Sequence, residues 1–352
     1  MSRVLIAMSG GVDSAVAALL MKRAGHDCLG ATMKLSSPDE NDNSCCSSEE
    51  VALAADVAKK LSFPYHVLDL SREFRGTVIE DFIRTYETGG TPNPCILCNR
   101  ALKFGAMLDF AGRMGADFLV TGHYVRRAFD EKTGRYLLLR AKDRTKDQSY
   151  VLYTLSQEKL ARTLFPLGEM TKAEVRLLAA QEGFANAERR DSQDICFVPD
   201  GDYAAYIERV RGGAFPEGAF VNAEGKVLGR HKGHIRYTVG QRKGLGLSLP
   251  APLYVKDKRP DENQVVLAPE EALYTSSLIA DDVNLISVEK LSAPLRVYAK
   301  VRYRQAEQPA TVTPLDGGAV RVDFDLPQRA VARGQAVVFY DGDVVVGGGR
   351  IR

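Results

Sequence analysis

Through the first two hundred residues, short unbroken apolar runs alternate with stretches whose apolar positions recur at helical spacing. Val4–Met8, Cys28–Leu35, Tyr65–Leu70 and Phe118–Thr121 read as buried strands. Ala15–Ala24, Glu49–Leu61 and Asn99–Met114 read as helices, the last with Phe104, Met107, Leu108 and Ala111 on one face. Strand–helix alternation predicts an α/β fold: a parallel sheet with right-handed crossovers and a ligand site at the carboxyl ends of its strands. Beyond about Gly201 the texture changes. Glycine and proline become frequent, and "GHIRYTVGQRKGLGL" reads as irregular backbone with brief strands. From Ser276 onward, "LRVYAKVRYRQ", "AVRVDFD" and "AVVFYDGDVVVGGG" alternate apolar and polar residues between turn signals, which predicts a small antiparallel β-barrel. The expected organisation is residues 1–203, a central domain at 204–275 and the barrel at 276–352.

Composition narrows the class. A chain of 352 residues with 45% apolar content can bury a full core in two or three domains. No apolar run approaches the roughly 18 residues needed to cross a bilayer, so a cytoplasmic protein without a membrane partner is expected. Six cysteines are too few for a disulfide-built fold, and a reducing compartment leaves them as thiols, ligands or catalysts. The net charge of +2 conceals an uneven distribution. Residues 126–146 carry eight Lys/Arg against three Asp/Glu, and residues 226–259 carry nine against one. That asymmetry points to a polyanionic partner at one face.

The chemistry begins at Ser9-Gly10-Gly11-Val12-Asp13-Ser14, directly after the first apolar run. Two glycines and two hydroxyls between a strand and a helix gather backbone N–H donors at the positive end of the helix dipole, which suits an anion. The lysine of a Walker loop is absent, so the site fits the pyrophosphate released from ATP better than a γ-phosphate in transfer; Asp13 is a candidate Mg²⁺ ligand. The motif resembles the PP-loop of the ATP pyrophosphatase superfamily, whose members adenylate an oxygen and then displace AMP. On that resemblance Ala7 and Met8 join the six motif residues in holding ATP, and Met33 and Gly122 match positions whose backbones hold adenine.

A second cluster is "TPNPCILCNRALKF". Cys95 and Cys98 precede a helix with Arg100 and Lys103 in its first turns, a setting that predicts a depressed thiol pKa and makes Cys98 the candidate nucleophile. Cys196 lies far off in "DSQDICF". If the fold brings it to Cys98, one sulfur can carry a persulfide and the other resolve it as a disulfide. Zinc would need a second ligand pair, which the sequence does not offer. An iron–sulfur cluster on Cys95, Cys98 and Cys196 remains an open alternative. Cys28, Cys45 and Cys46 read as structural or loop thiols.

Together SGGVDS, TPNPxxxCN, GHY, KDQSY, DSQDICF, YTVGQRKGLG, VRYRQ and GQAVVFY with a closing GGG resemble, over nearly the whole length, the tRNA-specific 2-thiouridylases. The resemblance implies a PP-loop domain with a tRNA-binding insertion at about 126–190, a small central domain and a barrel that together grip tRNA. It implies ATP-dependent adenylation of the C2 oxygen of the wobble uridine, followed by transfer of persulfide sulfur. Cys98 then matches the nucleophile and Cys196 the persulfide carrier. Asn93, Pro94 and Cys95 fall where the target base is held, and His123, Lys146, Asp147, Gln148, Arg302, Tyr303 and Gln335 fall at tRNA-contacting positions. ATP, Mg²⁺ and a protein persulfide donor, a cysteine desulfurase or a sulfur relay protein, are the implied co-reactants. Many relatives carry aspartate where this chain has Cys95. A small-molecule ligase would share only the first motif, and a non-catalytic RNA-binding module would have no use for it.

Overall fold

The computed structural model describes residues 1–35, 48–189, 195–198, 200–248 and 250–352. Cys45 and Cys46, and Asp191 to Asp194 of the DSQDICF motif, lie outside the described residues.

The N-terminal region contributes β1 (Arg3–Ala7), β2 (Asp27–Lys34), β3 (Tyr65–Asp69) and β4 (Phe118–Val120), then a hairpin of β5 (Val125–Asp130) and β6 (Arg135–Arg140), then β7 (Thr163–Leu164). The order β3-β2-β1-β4-β7 is parallel throughout, as the alternation of apolar runs and helical patterns requires. Helices α1 (Val12–Arg23) and α2 (Ser48–Lys60) follow β1 and β2. Two longer helical runs each contain a π-helical piece with i→i+5 geometry. The first, α3, joins Ser71–Phe74, Arg75–Ile79 and Glu80–Glu87. The second, α4, joins Pro94–Cys98, Asn99–Ala106 and Met107–Arg113. Phe104, Met107, Leu108 and Ala111 of α4 are buried, as their spacing predicts. Three further helices are α5 (Gln157–Ala161), α6 (Lys172–Gln181) and α7 (Tyr203–Arg211).

The middle of the chain forms a mixed sheet, β10-β11-β8-β9, from β8 (Gly218–Val221), β9 (Val227–His231), β10 (Tyr254–Arg259) and β11 (Gln264–Ala268). It closes over Phe220, Tyr237, Val255, Val265 and Leu267. The remainder is the expected antiparallel barrel: β12 (Tyr274–Leu285), β13 (Leu295–Lys300), β14 (Gln308–Pro314), β15 (Val320–Arg329), β16 (Ala336–Asp341) and β17 (Val344–Ile351), closed by pairing of β12 with β17.

The hairpin β5–β6 ties the barrel to the N-terminal region, with Val344 of β17 paired to Leu139 of β6. This joint uses up most of the first basic stretch. Arg126 and Arg144 both bind Asp343, and Arg127 donates to the carbonyls of Leu160 and Ala161. Arg135 donates to the Ile286 carbonyl, and Arg140 pairs with Glu307 while lying 4.0 Å over the Tyr340 ring. Five of the eight cations are therefore engaged by partners within the protein, which corrects the expectation that this segment is a free polyanion-binding face. The second stretch differs. Arg236 and Arg230 pair with Glu208 and Glu217, Arg259 pairs with Glu262, and Lys258 is buried, but Lys226, Lys232, Arg242 and Lys243 are exposed with no ion pair among the described residues.

Candidate active site

The loop after β1 is organised by its own hydroxyls. Ser14 Oγ accepts from the Ser9 amide at 3.2 Å and donates to the Gly11 carbonyl at 3.0 Å, while Gly11 N–H donates to Ser9 Oγ at 3.4 Å. Gly10 has φ +74°, and a Cβ there would fall 2.5 Å from the Glu50 carbonyl oxygen. At Gly122 a Cβ would lie 2.8 Å from the Asp13 carbonyl carbon and 2.9 Å from the Ser14 nitrogen, so the end of β4 can approach the loop only as glycine. These constraints shape a cavity of about 200 Å³ lined by Ala7, Met8, Ser9, Asp13, Ser14, Met33, Thr121 and Gly122, with Lys103, Met107, His123 and Gln148. Seven of the ten residues expected to hold ATP line it; Gly10, Gly11 and Val12 shape the loop behind.

Asp13 does not offer a free carboxylate. Lys172 Nζ lies 2.7 and 2.8 Å from its two oxygens, and Tyr124 OH donates to Oδ1 at 2.7 Å. Lys172 is positioned by the first turn of α6, where Thr171 and Glu174 form a reciprocal capping box. A lysine therefore does reach this loop, from 159 residues away. With both oxygens held by an ammonium, Asp13 does not fit the role of a Mg²⁺ ligand in this arrangement.

His123, expected at a tRNA contact, is instead buried inside the cavity. Its Nδ1 lies 2.8 Å from Thr121 Oγ1, and burial, reinforced by Lys103, lowers its pKa well below the usual histidine range, so it is a neutral imidazole. Gln148 also faces inward, its side-chain oxygen accepting from the Tyr124 amide at 2.9 Å.

The helix carrying the thiols starts earlier than its apolar period suggests, at Pro94, a residue favoured at a first helical position. Cys98 therefore sits a full turn in, away from the free N–H groups, and Arg100 is turned to Asp282. The expected thiolate is corrected accordingly: burial raises the Cys98 thiol, Lys103 opposes that, and Cys95 adds to it. Cys95 is solvent-exposed, yet the surrounding protein raises its thiol too, again opposed by Lys103. Cys28, Cys95 and Cys98 are free, whereas Cys196 is disulfide-bonded, so the Cys98–Cys196 pair is not formed. Both sulfurs nonetheless border the same hydrophobic core, where Phe197 packs edge-on to Phe74 and Phe82. An iron–sulfur site does not fit this arrangement. Cys196 is not presented as a thiolate, and among the described residues no three metal-ligating side chains converge.

The loop leading to Pro94 is held from both of the other parts of the chain. Gln335 donates to the Thr91 and Pro92 carbonyls at 3.0 and 2.9 Å, and Thr91 N–H donates to the Arg333 carbonyl. Lys258 of the central sheet donates to the Gly90 carbonyl at 3.1 Å; burial lowers its pKa to about 8. Asn93 lies at the N-cap of α4 and lines a small recess with Ile96 and Arg350. Tyr303 is 40% exposed and close enough to Cys95 to sense its charge; its hydroxyl donates to the Asp147 carbonyl at 3.0 Å. Asp147 is spent on a turn, accepting from Ala141 and Ser149, while Lys146 is half-buried and Arg302 donates to the Ala330 carbonyl. Of the seven expected tRNA contacts, Tyr303 thus presents an open face; Gln335 and Arg302 brace the loops around it. Tyr124 and Lys172 complete the site without having been assigned to it from the sequence, and Lys103, expected only beside the thiols, also lines the cavity.

Family profiles match the chain in three parts: residues 2–200, described as "tRNA methyl transferase HUP domain", residues 205–269, "tRNA methyl transferase PRC-barrel domain", and residues 275–351, "Aminomethyltransferase beta-barrel domain". The chain is similar over almost its full length to proteins described as tRNA-specific 2-thiouridylase MnmA. It is 48% identical to that of Moorella thermoacetica, 47% to that of Clostridioides difficile and 46% to that of Clostridium perfringens, in each case over 99% of this chain and 98% of the relative.

Proposed function

This chain belongs to the tRNA-specific 2-thiouridylase family, and from that premise we propose how its own residues make it a tRNA sulfurtransferase that installs 2-thiouridine. The profile descriptions speak of methyl transfer, the relatives of thiolation; a thiol pair on a helix that enters a nucleotide cavity suits the relatives. One observation carries the reading. The helix α4 begins with Cys95 and Cys98 and, two turns on, supplies Lys103 and Met107 to the wall of the cavity built by the SGGVDS loop.

The C2 oxygen of a uracil is a poor leaving group, so ATP first converts it to an adenylate, with pyrophosphate released into the loop at the start of α1. Neutral His123 and the ion pair of Lys172 with Asp13 lie beside that step. The target base, drawn from its stack, rests against Tyr303 and the loop at Asn93, Pro94 and Cys95; stacking of a base on an aromatic face contributes about 1–3 kcal/mol. A persulfide anion on Cys196 attacks C2, the C2–O bond breaks, and AMP leaves with the former uridine oxygen. Cys98 thiolate then attacks the Cys196 sulfur, breaking the S–S bond; the sulfur stays on C2, and a Cys98–Cys196 disulfide awaits reduction by an external thiol. The cysteines are oxidised by two electrons as the transferred sulfur is reduced. Before this cycle Cys196 must leave the disulfide it occupies here.

The test is nucleoside analysis of tRNA incubated with the protein, ATP, Mg²⁺ and a persulfide donor. We expect 2-thiouridine at the wobble position together with tRNA-dependent pyrophosphate release. Pyrophosphate release that ignores tRNA, with no thiolated nucleoside, overturns the proposal.

A further inference from the structure

Lys103 makes no hydrogen bond or ion pair among the described residues, although it is half-buried and lies between two chemically demanding places. It lines the nucleotide cavity with Ser9, Asp13 and Gly122, and its charge is felt by Cys95, Cys98 and His123. A half-buried ammonium with no acidic partner is costly to hold, since desolvation is not returned by a counter-charge. The other cation at the loop, Lys172, is already neutralised by Asp13.

The backbone explains how one side chain serves both places. In an α-helix, at 3.6 residues per turn, a residue five positions after Cys98 is rotated roughly 140° from it and faces elsewhere. Here Asn99–Ala106 is π-helical, and the Met107 amide reaches back five residues to the Leu102 carbonyl. The wider turn of the i→i+5 stretch reduces that rotation and brings Lys103 round toward the side of the helix that carries Cys98, while Cys95 lies three positions before Cys98. Met107, four positions above Lys103, continues the face into the nucleotide cavity.

We propose that Lys103 is a catalytic residue of the sulfur-transfer step, a single cation that contacts the phosphate of the adenylated base and faces the Cys98 sulfur from the same position. As sulfur bonds to C2 and the C2–O bond breaks, the electron pair passes to the departing AMP, whose phosphate gains a negative charge beside this ammonium. The same ammonium then steadies Cys98 as a thiolate when it cleaves the persulfide. The proposal rests on the thiolation reading above and adds a residue to it.

The experiment uses the full-length protein with tRNA, ATP, Mg²⁺ and a persulfide donor, comparing wild type with Lys103→Met and Lys103→Arg. For Lys103→Met we expect thiolation from preformed adenylate lower by about 100-fold, in line with removal of one preorganised charge-stabilising group, and tRNA-dependent pyrophosphate release lowered less, by about tenfold, since Lys103 also lines the nucleotide cavity. Alkylation of Cys98 at neutral pH, read by peptide mass without ATP, slows by roughly three- to tenfold, because a thiol without its cation ionises less readily. Lys103→Arg recovers part of both. Unchanged thiolation in Lys103→Met overturns the proposal, as does equal loss of pyrophosphate release and thiolation with Cys98 reactivity unaltered, which makes Lys103 a nucleotide-binding residue alone. If wild type shows no tRNA-dependent pyrophosphate release, the thiolation reading fails first.

Discussion

The nucleotide cavity and the thiol face lie on one helix but are prepared to different degrees. The cavity is finished in the free protein: its hydroxyls are bonded to one another, Asp13 is held by Lys172 and Tyr124, and His123 is neutral. The thiol face is not. Both its thiols are raised by the surrounding protein, the loop before them is braced from the central sheet and from the barrel, and the third sulfur is disulfide-bonded. On the proposed function, activation of the base would be built into the fold, whereas sulfur transfer would need further change at the thiol face.

The largest effect that can break this comparison is expected at Cys98. Cys98→Ser should lower thiolation by about 10³-fold or more while leaving tRNA-dependent pyrophosphate release intact, as loss of a nucleophile does when binding machinery survives. Normal thiolation would mean the wrong sulfur has been assigned. Next comes Asp13→Asn, which strands the Lys172 charge beside the loop. Pyrophosphate release and thiolation should fall together by about 10²–10³-fold, and retained pyrophosphate release would show that the cavity is not organised by this pair.

A pH titration sharpens the same contrast. The Cys98 thiol is raised by burial, so its reactive thiolate grows as pH rises toward that raised value. Single-turnover thiolation from preformed adenylate should climb about tenfold per pH unit above neutrality, while adenylation, whose neutral His123 does not titrate there, should stay nearly flat. Parallel profiles would put the two steps under one ionisation.

Smaller effects are expected where tRNA is first met. Arg242 and Lys243 are exposed with no acidic partner among the described residues. Replacing both with alanine should lower the slope of log affinity against log salt by about 1.5–2. Arg126→Gln should leave that slope unchanged, because Arg126 serves Asp343 and the Arg140 carbonyl. A lowered slope for Arg126→Gln would overturn the division between the two basic stretches.

That division also shows where the sequence stops being informative. Strands β1, β2 and β4 were legible because buried strands are continuous apolar runs, and the barrel because its strands alternate; β3 was expected to be buried but is an edge strand with Val67 48% exposed, and the two-residue β7 carried no such run. The helix over residues 71–87 was missed: its π-helical piece, with Gly76 inside it, breaks the 3.6-residue period by which helices are recognised. The motif residues that shape the cavity after β1 stood out because they are contiguous. Lys172 could not be assigned, since its partner lies 159 residues away and the helix start at Thr171 that positions it was not read either. Cys98 went astray for a related reason. Arg100 is near in sequence but points to Asp282, and only side-chain direction separates a neighbouring cation from an activating one.

The most delicate test lies in the brace behind the thiol helix. Gln335 of the barrel donates to two successive carbonyls, Thr91 and Pro92, just before the residues expected to hold the base. Gln335→Ala removes both bonds, each contributing about 1 kcal/mol. Part of that returns when water solvates the carbonyls, so the loop should loosen without melting. Since the nucleotide cavity shares no hydrogen bond with Gln335, thiolation should fall about three- to tenfold while pyrophosphate release holds. Equal loss in both steps would mean that the barrel positions the whole tRNA rather than this loop, and the separation between a finished cavity and an unfinished thiol face would have to be drawn elsewhere.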